Sequence, residues 1–151
     1  MSEALKATFA SIDQLFASCS IDYALLANAE VNELWFADYN NQRIVNSFLF
    51  NYIKIQDKIG SKLFRQVLLA LREIPDGAVP MIDMLHLLEK LKIIDNSEQW
   101  DILREIRNVI AHEYPADIEE RIDNIKLALT GFDSLKCIYK NLQFYVNAKV
   151  I

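Results

Sequence analysis

Apolar residues recur along this chain three or four positions apart, the spacing of a helix face, and few stretches alternate as a strand would. Near the start, Leu5, Phe9, Ile12, Leu15, Phe16 and Cys19 form one stripe, with Ser2 placed to cap it. Residues 20–22 read as a short break. A second helix is predicted over about 22–38, carrying Leu25, Leu26, Val31, Leu34 and Trp35. The third is long, about 40–72. Ile44, Val45, Phe48, Leu49, Tyr52, Ile55, Ile59, Leu63, Val67, Leu68 and Leu71 line it, and Gly60 is its weak point. Pro75 to Pro80 punctuates the chain as a turn. A short fourth helix follows, with Met81, Met84, Leu85, Leu88 and Leu91 on one face. A fifth begins near Asp95 or Asn96. A last one runs over about 118–146, opened by Asp117 and Glu120 and lined by Ile122, Ile125, Leu129, Phe132, Leu135, Tyr139 and Leu142, with Gly131 a possible bend. This pattern predicts an all-α fold, a single-domain up-and-down bundle of five to six helices over residues 1–151. Residues 40–146 form its core bundle, and the packing of 1–38 is left open.

Composition narrows the class. Apolar residues make up 52% of 151, enough for a packed core, while three glycines and three prolines leave few obligatory turns. No apolar run is long enough to cross a bilayer, and the N-terminal stretch does not read as a leader, so the expectation is a cytoplasmic protein without membrane partners. Cys19 and Cys137 lie among apolar residues without a second cysteine or histidine nearby. They read as small buried hydrophobes, and no metal cage or other cofactor is expected. His86 falls with charged neighbours off the Met/Leu stripe and reads as solvated.

The chemistry concentrates in residues 96–117, NSEQWDILREIRNVIAHEYPAD. Glu98 follows Asp95 by three, as in a capping box. Trp100, Leu103, Ile106 and Ile110 give the buried stripe, and Arg104, Asn108 and His112 fall on one line four residues apart. Arg107 and His112 are about 140° apart on a straight helix, too far to converge on one atom. Either the helix ends near His112, or a second copy completes the pair across a two-fold axis. Pro115 favours an end close to Glu113, because it drives Tyr114 out of the α region.

Arg107-Asn108, three residues, His112, one residue and Tyr114 read R-N-x-x-x-H-x-Y. This resembles the signature of HEPN-domain ribonucleases, and more narrowly the HepT toxins that pair with a minimal nucleotidyltransferase (MNT) antitoxin. The runs NYIKIQDKIGSKLF and LREIRNVIAHEYP carry a similar flavour, so the likeness covers roughly residues 40–130. The resemblance implies a metal-independent endoribonuclease with its cleft at a homodimer interface. Arg107 and His112 would be catalytic and Asn108 supporting. Tyr114 would be the tyrosine that the partner nucleotidyltransferase modifies with AMP to silence the toxin. The first forty residues match nothing in that family.

RNA carries its own nucleophile, the 2′-hydroxyl. An enzyme need only move two protons and stabilise charge at phosphorus. Histidine does the first near neutrality and arginine the second. One histidine is thin for acid and base together, which is why a dimer is expected. Net charge is −5, yet residues 39–72 hold six cations against one acid, Asp57, and are +5; the rest is −10. Lys54, Lys58, Lys62 and Arg65 could track RNA phosphates; a solvated face is the plain alternative. Plain alternatives also stand for His112, a surface histidine at a helix C-terminus, and for Arg107, a surface ion pair with Glu105 or Asp101. A second class of function is a non-catalytic helical adaptor that binds a nucleotidyltransferase. The antitoxin role is disfavoured, since no Gly-Ser followed by paired aspartates occurs.

Overall fold

The computed structural model describes residues 1–112 and 117–149, and its regular elements there are six helices with no strand. They are α1 (Glu3–Ala27), α2 (Glu33–Phe36), α3, α4 (Met81–Lys90), α5 (Ser97–Ala111) and α6 (Ile118–Lys149). Helix α3 is continuous but changes pitch: Tyr39–Lys58 is α-helical, Ile59–Leu63 is a π turn, and Phe64–Ala70 is α-helical again. Among the described residues, no helix is long and apolar enough to cross a membrane.

Helix α1 packs along α3, α5 and α6 pack on each other and on α3, and α4 sits against α5 and the end of α3. One hydrophobic cluster joins all six. Its centre is aromatic. Phe132 of α6 lies 5.6 Å from Phe16, 4.8 Å from Tyr23 and 5.8 Å from Phe48, ring centre to ring centre, so three helices share one seam. Two of the polar ends are satisfied. The Tyr139 hydroxyl donates to Asp13 Oδ1 at 2.6 Å and lies 3.0 Å from the Phe9 carbonyl, and the Tyr23 hydroxyl donates to Asp133 at 3.0 Å.

Three sequence expectations change here. The predicted break at 20–22 does not exist, because the buried stripe Leu5, Phe9, Ile12, Phe16 and Cys19 continues through half-buried Tyr23 to Leu26 at the same spacing. The helix predicted over 22–38 shrinks to α2, four residues capped by Asn32, and Leu34 is 83% exposed. Cys137 is also exposed, not buried: it falls between the inward positions Leu135 and Ile138 of α6. The predicted capping serine stands, with Ser2 Oγ accepting from Leu5 N–H at 3.2 Å.

Glycine decides two close approaches. A Cβ on Gly60 would lie 2.7 Å from Trp100 Cζ2, so the α5 indole rests directly on the α3 backbone at the π turn. A Cβ on Gly131 would lie 2.2 Å from the Tyr52 hydroxyl, which is buried and finds no hydrogen-bond partner among the described residues. Gly131 therefore admits a side chain, and α6 runs through it unbroken. The C-termini of α3 and α4 both turn through left-handed residues that are not glycine, Arg72 (φ 60°) and Lys92 (φ 61°). In each case the next residue closes the turn, Glu73 N–H onto the Leu68 carbonyl and Ile93 N–H onto that of Leu88, both at 2.9 Å.

Arg72→Gly and Lys92→Gly are each expected to raise stability by about 0.5–1 kcal/mol, read as a higher melting temperature, because the left-handed cost of a Cβ disappears. Gly131→Ala is expected to lower it by about 1–3 kcal/mol, and adding Tyr52→Phe to restore much of the loss; equal losses with and without that second change would disprove the contact. The Cys19 thiol is pushed up to about 12, first by burial and then by Asp22. A thiol reagent should therefore titrate one cysteine, Cys137, in the folded chain and two after unfolding. Folding holds the Cys19 proton more tightly than the unfolded chain does. That contribution is complete below pH about 9 and is lost as pH rises towards 12, so Cys19→Ala should flatten the alkaline part of the stability curve.

Candidate functional site

Helix α5 starts from Asn96, whose side chain accepts from Gln99 N–H at 2.8 Å, while Gln99 Oε1 accepts from Asp95 N–H at 2.8 Å. The reciprocal partner is thus Gln99; the expected Asp95–Glu98 box is replaced by one a residue later. Trp100, Leu103 and Ile106 are buried and Ile110 is half-buried. The helix ends at Ala111. His112 is its C-cap, with extended backbone (φ −74°, ψ 161°) and an exposed side chain. Tyr114, with Glu113, Pro115 and Ala116, lies outside the described residues, and so does the expected modification.

Arg107 points from α5 to α3. Its Nε donates to Asp57 Oδ1 at 2.9 Å and its Nη2 to Oδ2 at 2.8 Å. This two-pronged contact fixes the guanidinium plane and, through the hydrogen bond to Asp57, raises its pKa above an already high value. The Nη1 side stays unengaged among the described residues. Around the pair opens a concavity of about 420 Å³. Gly60, Met81 and Trp100 form its apolar part, and Gln56, Ser61, Arg104 and Asn108 contribute polar groups. Arg104 also pairs with Asp101 on its own helix. Asn108 lines this concavity from an exposed position, and no hydrogen bond joins it to Arg107 or His112 among the described residues.

His112 lines a different recess, with Phe36 and Leu49 on one side and Arg121, Asn124 and Ile125 of α6 on the other. That recess holds about 20 Å³, room for little more than a water. Ending the helix before His112 therefore does not bring imidazole and guanidinium into one cavity within a single chain.

The basic residues of α3 also separate. Lys54 Nζ sits 4.3 Å from the centre of the Phe50 ring. Lys58 donates to Ser11 of α1, and with Lys62 it lines a groove of about 230 Å³ that also holds Thr8 and Gln66. Arg65 donates from one nitrogen to the carbonyls of Gly77 (2.6 Å) and Val79 (2.8 Å), fastening the turn before α4. The π turn lies between Lys58 and Arg65, and three of the four cations already have partners of their own. None of the four lines the Arg107 concavity.

Sequence reasoning missed Asp57 as a site residue. The available signal was its isolation, one acid among six cations. Compared with protein-family models, curated proteins and solved structures, the chain finds no match in any of the three.

The Arg107–Asp57 pair is partly open to solvent, with side chains 30% and 48% exposed. Its worth to stability is accordingly small, on the order of 0–1 kcal/mol. Asp57→Asn should shift the urea midpoint only slightly; a loss of several kcal/mol would make the pair a structural cornerstone instead of a device that aims Arg107.

Proposed function

We propose that this chain is a metal-independent endoribonuclease of the HEPN type, acting as a homodimer and serving as the toxin of a toxin–antitoxin pair. The observation that carries the reading is Arg107 held by Asp57 at the edge of a nucleotide-sized concavity, with one side of its guanidinium still open. A positive charge aimed in advance at a phosphate lowers the cost of the charge that builds at phosphorus as the 2′-oxygen attacks. His112 moves the protons, taking one from the 2′-hydroxyl or giving one to the leaving 5′-oxygen.

Dimerisation is supported by the separation of the two groups within one chain. Helix α5 also exposes Ile102 and Val109, two turns apart, an apolar edge that suits a second α5. In this reading one copy supplies the arginine and the other the histidine at each cleft. Adenylylation of Tyr114 by a partner nucleotidyltransferase, two residues from His112, would place a bulky anion beside the cleft and block RNA. The adaptor reading retains one specific support: a two-pronged arginine–carboxylate pair is also how a purely structural ion pair looks.

Purified protein and intact RNA in excess EDTA provide the trial. Cleavage should fall by about 10²–10⁴-fold in Arg107→Ala and in His112→Ala, with the helical spectrum unchanged. A mixture of the two inactive variants should regain part of the activity, because in a mixed dimer one of the two clefts receives an intact arginine from one copy and an intact histidine from the other. Full cleavage by both single variants would sink the reading, and the absence of cleavage by wild type between pH 5 and 9 would leave the adaptor.

A further inference from the structure

We infer that the concavity between α3 and α5 is a base-binding subsite, taking one nucleotide of single-stranded RNA with its phosphate towards Arg107 and Arg104 and its base edge on Gln56. The ribonuclease reading supplies the substrate class, but the binding argument stands on the cavity itself.

Gln56 is 3% exposed, lines this concavity, and its Oε1 meets no hydrogen-bond donor among the described residues. A buried amide oxygen without a partner costs about 1–3 kcal/mol and calls for an explanation. A carboxamide offers a donor and an acceptor side by side, the pairing that nucleobase edges present. The surroundings match the rest of a nucleotide. Trp100 and Met81 provide an apolar wall, Ser61 a hydroxyl, and Arg104 and Arg107 two guanidinium groups, each held by one carboxylate, Asp101 and Asp57. The volume, about 420 Å³, falls within the range of small-molecule sites, roughly 300–1,000 Å³. Unpaired bases of single-stranded RNA are commonly held in this way, against aromatic and arginine side chains and by their edges.

The site also contains its own reporter. The chain has two tryptophans, so Trp35→Phe leaves Trp100 as the one indole. In that background, the four nucleoside 5′-monophosphates, inorganic phosphate and a short single-stranded DNA are titrated while Trp100 emission is followed. The DNA lacks the 2′-hydroxyl and cannot be cut by this chemistry. Saturable changes are expected with the nucleotides and the DNA, and none with inorganic phosphate at the same concentration. Gln56→Leu should weaken nucleotide binding at least fivefold and change the ranking of the four bases, whereas Arg104→Ala should weaken all four alike. No saturable response to any nucleotide, an equal response to phosphate, or an unchanged ranking in Gln56→Leu would each overturn the subsite. If wild type binds nucleotides but cuts no RNA, the subsite stands and the nuclease falls; cleavage without such binding gives the reverse.

Discussion

The contact of the Trp100 indole with the bare backbone of Gly60 is the constraint on which the candidate site depends. It lets α5 lie closer to α3 than two helices with ordinary side chains could, and it coincides with the five residues where α3 widens into a π turn. π turns often accompany functional positions because they redirect the residues beside them. Here Asp57 lies just before the turn and Ser61 within it, and they meet Arg107 and the concavity. Phe64, one turn further on, packs edge-on to the same indole at 4.7 Å and fixes the approach from the other end.

The aromatic seam around Phe132 provides the frame for that contact. Because Phe16, Tyr23, Phe48 and Phe132 interlock, α1, α3 and α6 behave as one body, and α5 is laid across it. Tyr139 sits within this seam. Burial, with the hydrogen bond to Asp13, holds its hydroxyl protonated well beyond the ordinary tyrosine range. The strongest shifts away from the site, in Cys19, Tyr52 and Tyr139, all follow from burial in this frame, so a displaced pKa in this molecule marks packing more than chemistry.

At the site the electrostatics are those of restraint. Arg107 faces one carboxylate, Arg104 another, Arg65 two carbonyls and Lys58 a serine hydroxyl. In a molecule of net charge −5, these four cations are aimed and partly neutralised by their partners. Recognition through a shaped concavity suits that arrangement better than broad attraction to any polyanion.

Much was legible from spacing alone. The all-helical class, the serine cap of α1, the long α3, the short α4 and the buried stripe of α5 follow from periodicity and capping residues, because helix formation and face burial are local in sequence. Where local signals misled, Ser20 and Asp22 outweighed a stripe that simply continued, and apolar residues such as Leu34 suggested a helix that found no partner. Cys137 looked inward because single residues cannot reveal the rotation of a long helix. The pairing of Arg107 with Asp57, fifty positions apart, and the seating of Trp100 on Gly60 were decided by tertiary structure. They depend on how two helices approach and rotate against each other, and no spacing within one helix encodes that.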